Sequence, residues 1–323
     1  MATLAPSALV IGPARAPIAF GLGSVFTWRN GDRFESGITW DALTCEPAQG
    51  RGGPACAPDV PIGLPKVLTA GPEVGEATAF VVWGEYACSP IGGGWNEAQE
   101  RANAHLAARE EARAERAFYT GDLGNVPNLS GANGYPAPLD EGAFDEAHEA
   151  LAAVEQGIAR EYGSLGTIHV SIRAASLLLS KGSLVARGGR LFTELGTPVV
   201  AGAGYPDLGE IVGTGALVGY RSEVFNSSSR QGDLLNRATN DLVAIAERSY
   251  VVGFDPCPVV RAGYGTPPVP LTTLSGLNSN PATVTVGQSI TVTVDGDGPA
   301  VDPVHLFSST DNGTTWNDEG VMS

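Results

Sequence analysis

One run of the chain, "NEAQERANAHLAAREEARAERAFY" from Asn96 to Tyr119, holds 24 residues without a glycine or proline, in a sequence of 323 with 43 glycines and 23 prolines. Alanine and straight-chain charged residues favour helix, and nothing in the run breaks one. At ~1.5 Å per residue it forms a rod of roughly 36 Å. Asn96 is the expected N-cap, with Gln99 three residues on. Glu97 and Arg101 stand at the supportive i,i+4 spacing, and Trp95, Leu106 and Phe118 are the few large apolar residues. Such a helix lies along a broad, shallow surface rather than plugging a deep core. The rest of the chain must supply that surface.

Residues 1 to about 25 read as an extended arm, since Pro6, Pro13 and Pro17 with Gly12, Gly21 and Gly23 prevent a regular helix. Asn30-Gly31 is a hairpin signal between β-prone flanks. From Cys45 to Pro65 the chain is rich in Pro and Gly, an excursion too long for an ordinary connection. "EATAFVVWGEYACS" reads as a buried strand. A second helix is expected over about 141 to 162, with Phe144, Ala147, Leu151, Val154 and Ile158 as its apolar stripe and Gly163 as its stop. Then "GTIHVS" reads as a strand, "RAASLLLSKG" as a short helix, and "RLFTELGTPVVAGAGYP" and "ALVGYRSEVF" as strands and turns. β-rich runs close the body around Val243, Val251 and Val252.

Beyond them, Pro267, Pro268 and Pro270 make residues 266–270 an extended linker. In 271–323, Val284, Val286, Ile290, Val292 and Val294 alternate with polar residues, the period of a half-buried strand pair. This segment reads as a small immunoglobulin-like β module, short of the ~100 residues of a complete sandwich. Within it "SSTDNGTTW" carries an Asp-box pattern in Ser309, Asp311, Gly313 and Trp316. Those residues serve a turn: Asp311 bonds turn amides and Gly313 permits a left-handed backbone. A single copy in so small a segment does not make a propeller glycosidase, so a carbohydrate-binding protein or glycosidase stands as the rival from another class.

Hydrophobic residues at 43% and charged residues at 17% exclude a disordered chain. The net charge of −16 argues against gripping DNA through its phosphates, and six acids with no Lys or Arg follow Gly265. No apolar run reaches the ~20 residues that cross a bilayer, and no basic region precedes the first apolar stretch. Cys45, Cys56, Cys88 and Cys257 show neither CxxC pairs nor His at ligand spacing, and read as buried free thiols rather than a zinc site. "AGAGYPDLG" and "GTGALVG" miss the dinucleotide-binding pattern and read as turns. His105 and His148 sit on charged helices, His169 reads as a hydrogen-bonded core residue, and no nucleophile elbow occurs. No catalytic, cofactor or metal site is expected, and the chain is not read as an enzyme.

The order of arm, excursion, long helix and mixed α+β body resembles the major capsid proteins of tailed bacteriophages, the Hong Kong 97-type fold. "GTIHVSIRAASLLLSKGSLV", "LGTPVVAGAGYP" and "NRATNDLVAIAERSYVVGFD" carry the resemblance, which covers roughly residues 1–265. It implies an arm over 1–25, an extended loop over about 25–70, a spine helix over about 96–119, an axial domain over about 125–235 and closing strands over 240–263. Trp28, Arg29, Arg33, Phe34 and Trp40 are then expected at subunit interfaces.

On this resemblance the partners are further copies, as hexamers and pentamers, with a separate scaffolding protein and a portal. The shell encloses double-stranded DNA without specific binding, in a virion assembled in the host cytoplasm. The C-terminal module is expected on the outer surface, in weak contact with carbohydrate or host. Some members join subunits through a loop Lys and an Asn. Residues 25–65 contain no Lys and Lys66 stands at their edge, so no such crosslink is expected. Within structural proteins the rivals are an encapsulin-like compartment and a phage tail component.

Overall fold

A helix so poor in large side chains can be held only by letting its backbone come close to its neighbours. The computed structural model shows that contact and describes residues 19–31, 34, 36–46, 48, 73–88, 94–227, 235–236, 241–265, 305–308 and 317–321. The chain divides into two units, Met1–Pro268 and Val269–Ser323. The first opens with β1 (Arg29–Asn30), β2 (Ile38–Ala42), β3 (Glu73–Ala77), β4 (Ala79–Cys88) and α1 (Trp95–Thr120). Next come β5 (Leu139–Phe144), α2 (Ala147–Glu161), β6 (Thr167–Ser171), α3 (Ile172–Ser180), β7 (Leu184–Arg187), β8 (Arg190–Thr193) and β9 (Pro198–Gly202). It closes with β10 (Glu210–Thr214), β11 (Leu217–Arg221), β12 (Phe225–Asn226), β13 (Leu235–Asn236), β14 (Asp241–Phe254) and β15 (Val260–Tyr264). In the second unit β16 (His305–Ser308) pairs antiparallel with β17 (Asn317–Val321). The Asp-box residues and the rest of that module lie outside the described residues.

The helix α1 buries Ala98, Ala102, Leu106, Ala114, Ala117 and Phe118 against β4 and β14. Strand β4 alternates as a sheet strand does, with Phe80, Val82 and Gly84 toward the helix. A Cβ on Gly84 would lie 2.5 Å from the Leu106 nitrogen and 2.8 Å from the Ala102 carbonyl oxygen. Small residues on both sides therefore set the helix–sheet spacing. At its start α1 departs from expectation. Gly94 occupies the N-cap position with no side-chain cap, and Gln99 instead donates to the Asn226 side chain at 2.6 Å and to the Ile245 carbonyl at 3.3 Å. Gly121, left-handed at φ 69°, ends the helix.

Strand β14 is the hub of a six-stranded sheet: it runs antiparallel to β4 from Leu242↔Cys88 to Val251↔Ala79 and also pairs with β11, β12 and β13. The Asn30-Gly31 hairpin is not formed. β1 lies parallel to β11, with Asn30 opposite Arg221, while β2 pairs with β3 across the excursion. The β-prone flanks read in sequence found distant partners instead of each other.

A second sheet has the order β5-β15-β10-β6-β9-β8-β7, and α2 and α3 share one apolar core with its strands. The expected helix over 141–162 is split: residues through Phe144 form β5, and a Glu146–Glu149 capping box starts α2 two residues later. Gly163, at φ 68°, stops it as expected. The two sheets also cut across the expected 125–235 span, because β11 belongs to the six-stranded sheet and β15 to the seven-stranded one.

The thiol expectation is corrected as well. Cys45 and Cys257 form a disulfide with Cα atoms 5.5 Å apart across 212 residues of sequence, which ties the base of the excursion to the β14–β15 turn. Cys88 is free, and Cys56 lies outside the described residues. Spacing along the chain carries no sign of so distant a pair.

Two measurements check these contacts. Gly84→Val should destabilise the chain by about 1–3 kcal/mol and lower its melting temperature by roughly 3–10 °C, because the backbone of α1 has no room to yield. Melting at the wild-type temperature would refute the close contact. Reduction, or Cys45→Ser, should cost about 2–4 kcal/mol and shift melting by roughly 5–15 °C. Labelling of three or four thiols in the unreduced, denatured chain would disprove the bond.

Candidate assembly surface

With α1 on one face of the six-stranded sheet, the opposite face carries the odd-numbered residues of β4 and β14. Part of it is covered by the chain itself. Phe34, Ala77 and Val251 form a small core with Ile38, Trp40 and Tyr220 around them. The indole of Trp40 lies so close to Gly253 that a Cβ there would sit 2.6 Å from its Cη2, and it covers Gly75 in the same way. Beside this core runs an open groove of about 350 Å³ lined by Arg29, Phe34, Thr39, Trp40, Val218 and Tyr220.

The expected interface residues thus divide. Arg29 is exposed and donates to the Tyr220 hydroxyl at 3.1 Å, Phe34 is only 4% exposed, and Trp40 is half-buried. The structure brings these three into one groove. Trp28 turns to the other face, edge-on to Tyr250 at 5.2 Å with the Arg221 guanidinium over its ring. Arg33 lies outside the described residues.

Farther along the same face the sheet is bare. Trp83 is 58% exposed and Phe225 57% exposed, and both stand in one cross-strand row through Glu247. Val81 is exposed beside them, opposite Ser249, and Glu85 lies opposite Ile245. Neither Glu85 nor Glu247 is in an ion pair among the described residues. Three exposed apolar side chains thus stand together on this face, with the Glu85 and Glu247 carboxylates beside them. The run "EATAFVVWGEYACS" reads as a buried strand, whereas the structure leaves its Trp83 exposed. The available signal was that both alternating sets, Phe80 with Val82 and Val81 with Trp83, are apolar.

Among the described residues no group of three His, Cys, Asp or Glu could hold a metal ion. Fully buried His169 lies between the Tyr205 hydroxyl and Thr214 Oγ1, each at 3.0 Å. Thr214 donates its own proton to the Gly215 carbonyl, so Nε2–H of His169 donates to Thr214 and Nδ1 accepts from Tyr205. Burial holds its pKa down at about 3, and the ring is a neutral core link. No helix of the described residues is long and apolar enough to cross a membrane.

No protein-family model and no curated protein matches this sequence. Among solved structures, the chain is similar to the capsid of a native GTA particle at 14% identity and a TM-score of 0.50, over 82% of this chain and 96% of that one. A structure of the major capsid and decoration proteins of phage G matches at 13% identity and a TM-score of 0.48, over 80% and 95%. One from Mycobacterium phage Cain matches at 12% and 0.48, over 77% and 92%. The first of these likenesses shows a shared fold: this mixed helix-and-sheet chain is built as that capsid protein is.

The neutrality of His169 has a measurable consequence. Its pKa is lowered on folding, so its contribution is present above about pH 6.5 and is lost as pH falls toward 3. The stability advantage of wild type over His169→Gln should shrink by on the order of 4 kcal/mol across that range. Denaturant midpoints at a series of pH values check this. An advantage independent of pH would place a charge, or water, at the ring.

Proposed function

We propose that this chain is the major capsid subunit of a tailed bacteriophage, assembling with itself as hexamers and pentamers into an icosahedral shell around double-stranded DNA. The observation that carries this reading is the likeness of fold to the GTA capsid over nearly the whole of that subunit. On it, α1 is the spine helix, the six-stranded sheet with α1 is the peripheral part, and the seven-stranded sheet with α2 and α3 is the axial part. Residues 1–25 are the arm and about 25–70 the extended loop.

The net charge of −16 suits a wall that encloses DNA without holding it. A separate scaffolding protein and a portal complete the assembly, in the host cytoplasm. The C-terminal module, with its Asp-box pattern at Ser309, Asp311, Gly313 and Trp316, is displayed outward for weak contact with carbohydrate or host.

The bare strip gives the reading a concrete contact. Val81, Trp83 and Phe225, with Glu85 and Glu247 beside them, meet a neighbouring copy. A heterologous contact of this kind propagates from copy to copy and closes by symmetry. The groove at Arg29, Phe34 and Trp40 lies on the same face and receives the neighbour's edge.

Electron microscopy with light scattering on the full chain tests both levels. Wild type should form shells or capsomer rings. Trp83→Glu should keep wild-type circular dichroism and melting but lose at least about ten-fold in assembly yield, as a desolvated aromatic anchor does when charged. Normal shells from Trp83→Glu would move the contact elsewhere. A wild type that stays monomeric at every concentration, with its scaffolding protein present too, would remove the capsid reading itself.

A further inference from the structure

The arm leaves the body beside a carboxylate that has almost no contact with water. Glu115, on α1, is 1% exposed. Its Oε1 accepts the backbone N–H of Leu22 at 2.8 Å, and its Oε2 accepts that of Gly204 at 2.9 Å. One turn earlier on the helix, Glu111 Oε1 accepts the N–H of Gly23 at 3.2 Å. Three segments thus meet at one carboxyl group: the long helix, the end of the arm, and the loop after β9.

The backbone is shaped for this seat. A Cβ on Gly21 would lie 2.6 Å from Glu115 Oε1 and 2.8 Å from Glu111 Oε1, so any side chain there would displace both carboxylates. A Cβ on Gly204 would lie 2.7 Å from the Arg116 nitrogen, which places that loop directly on the helix backbone. The arm also reaches β9, where the N–H of Ala201 donates to the Phe20 carbonyl at 2.8 Å.

We propose that Glu115 is a proton-linked latch: the end of the N-terminal arm, Phe20 to Gly23, is seated firmly while this carboxyl group is protonated and loosens when it ionises. The reason is burial: among the described residues no Lys, Arg or His side chain bonds either oxygen, and the ionised form rests there on backbone amides. Opening the seat lets water reach the carboxylate, and the open state therefore holds the proton less tightly than the closed one.

Several charged or titratable groups face Glu115 from the elements around it. The described arm residues beside it, Phe20 to Ser24, carry no titratable side chain. On α1, Glu111 adds repulsion. Toward the seven-stranded sheet stand Tyr205 and Tyr119, both pushed up by burial, and behind Tyr205 lies His169, held neutral. Burial raises the pKa of Glu115 from 4.5 to about 7, against the pull of the Gly204 and Leu22 amides.

The sign follows from linkage. Because the closed state has the higher pKa, closure is favoured most below about pH 4.5, and that advantage is lost as pH rises to about 7. Going from pH 5 to pH 8 should weaken seating by roughly 30- to 100-fold. Global melting would not isolate the effect, since His169 works in the opposite direction over part of the same range.

The test is amide hydrogen exchange on the full chain, corrected for intrinsic rates. Protection of Leu22, Gly23 and Gly204 should fall by roughly 30- to 100-fold between pH 5 and pH 8, while Val251 and Val252 in β14 keep theirs. In Glu115→Gln the dependence should vanish, whatever the absolute protection. Should that variant not fold, Glu111→Gln should move the midpoint to lower pH by removing the repelling charge. Equal wild-type protection at both pH values, or an unchanged profile in Glu115→Gln or Glu111→Gln, would overturn the latch. The contacts lie within one chain, so this outcome is independent of whether the chain forms shells.

Discussion

The close approach of α1 to β4 and β14 is the constraint on which the rest of this structure depends. A helix rich in Ala and charge buries too little apolar area per turn to be held at ordinary distance. Gly84 removes the side chain that would keep it away, and Ala98, Ala102 and Ala114 let the surfaces meet. Once the helix lies there, Glu110 reaches Arg248 at 3.1 Å and the Tyr250 hydroxyl at 2.8 Å, polar contacts that fix its position along the strand.

The other side of α1 solves a different problem. There Glu115 and Tyr119 reach the arm and the seven-stranded sheet, where Tyr119 donates to Glu210 and Glu115 gathers amides from two segments. One helix thus joins both sheets, through apolar packing and polar contacts on each side. Polar joints of this kind define geometry more sharply than they add stability, because buried groups tolerate few alternative partners.

Reading by residue pattern located most of the local elements. The helix over Trp95–Thr120, the stripe from Ala147 to Ile158, the strand at Thr167–Ser171 and its following helix all follow from periodicity and from Gly and Pro. These signals act within a few residues, so they survive without knowledge of the fold. The cap at Asn96 did not form, because Gln99 found Asn226 and Ile245 from across the sheet. Arg29, Phe34 and Trp40 were expected at an interface only through the family resemblance, and the exposure of Trp83 and Phe225 was not foreseen. Exposure is decided by what lies over a strand, and nothing in the strand records that.

The long helix and the absence of basic charge after Gly265 can be read from the sequence alone. Each is a property of neighbouring residues: helix propensity and a count of charges. Only the tertiary structure decided that β11 and β15 belong to different sheets, that Cys45 meets Cys257, and that Glu115 closes over the arm. Those outcomes join residues far apart in the chain, and the energy that selects them comes from burial and pairing that exist only once the sheets have formed.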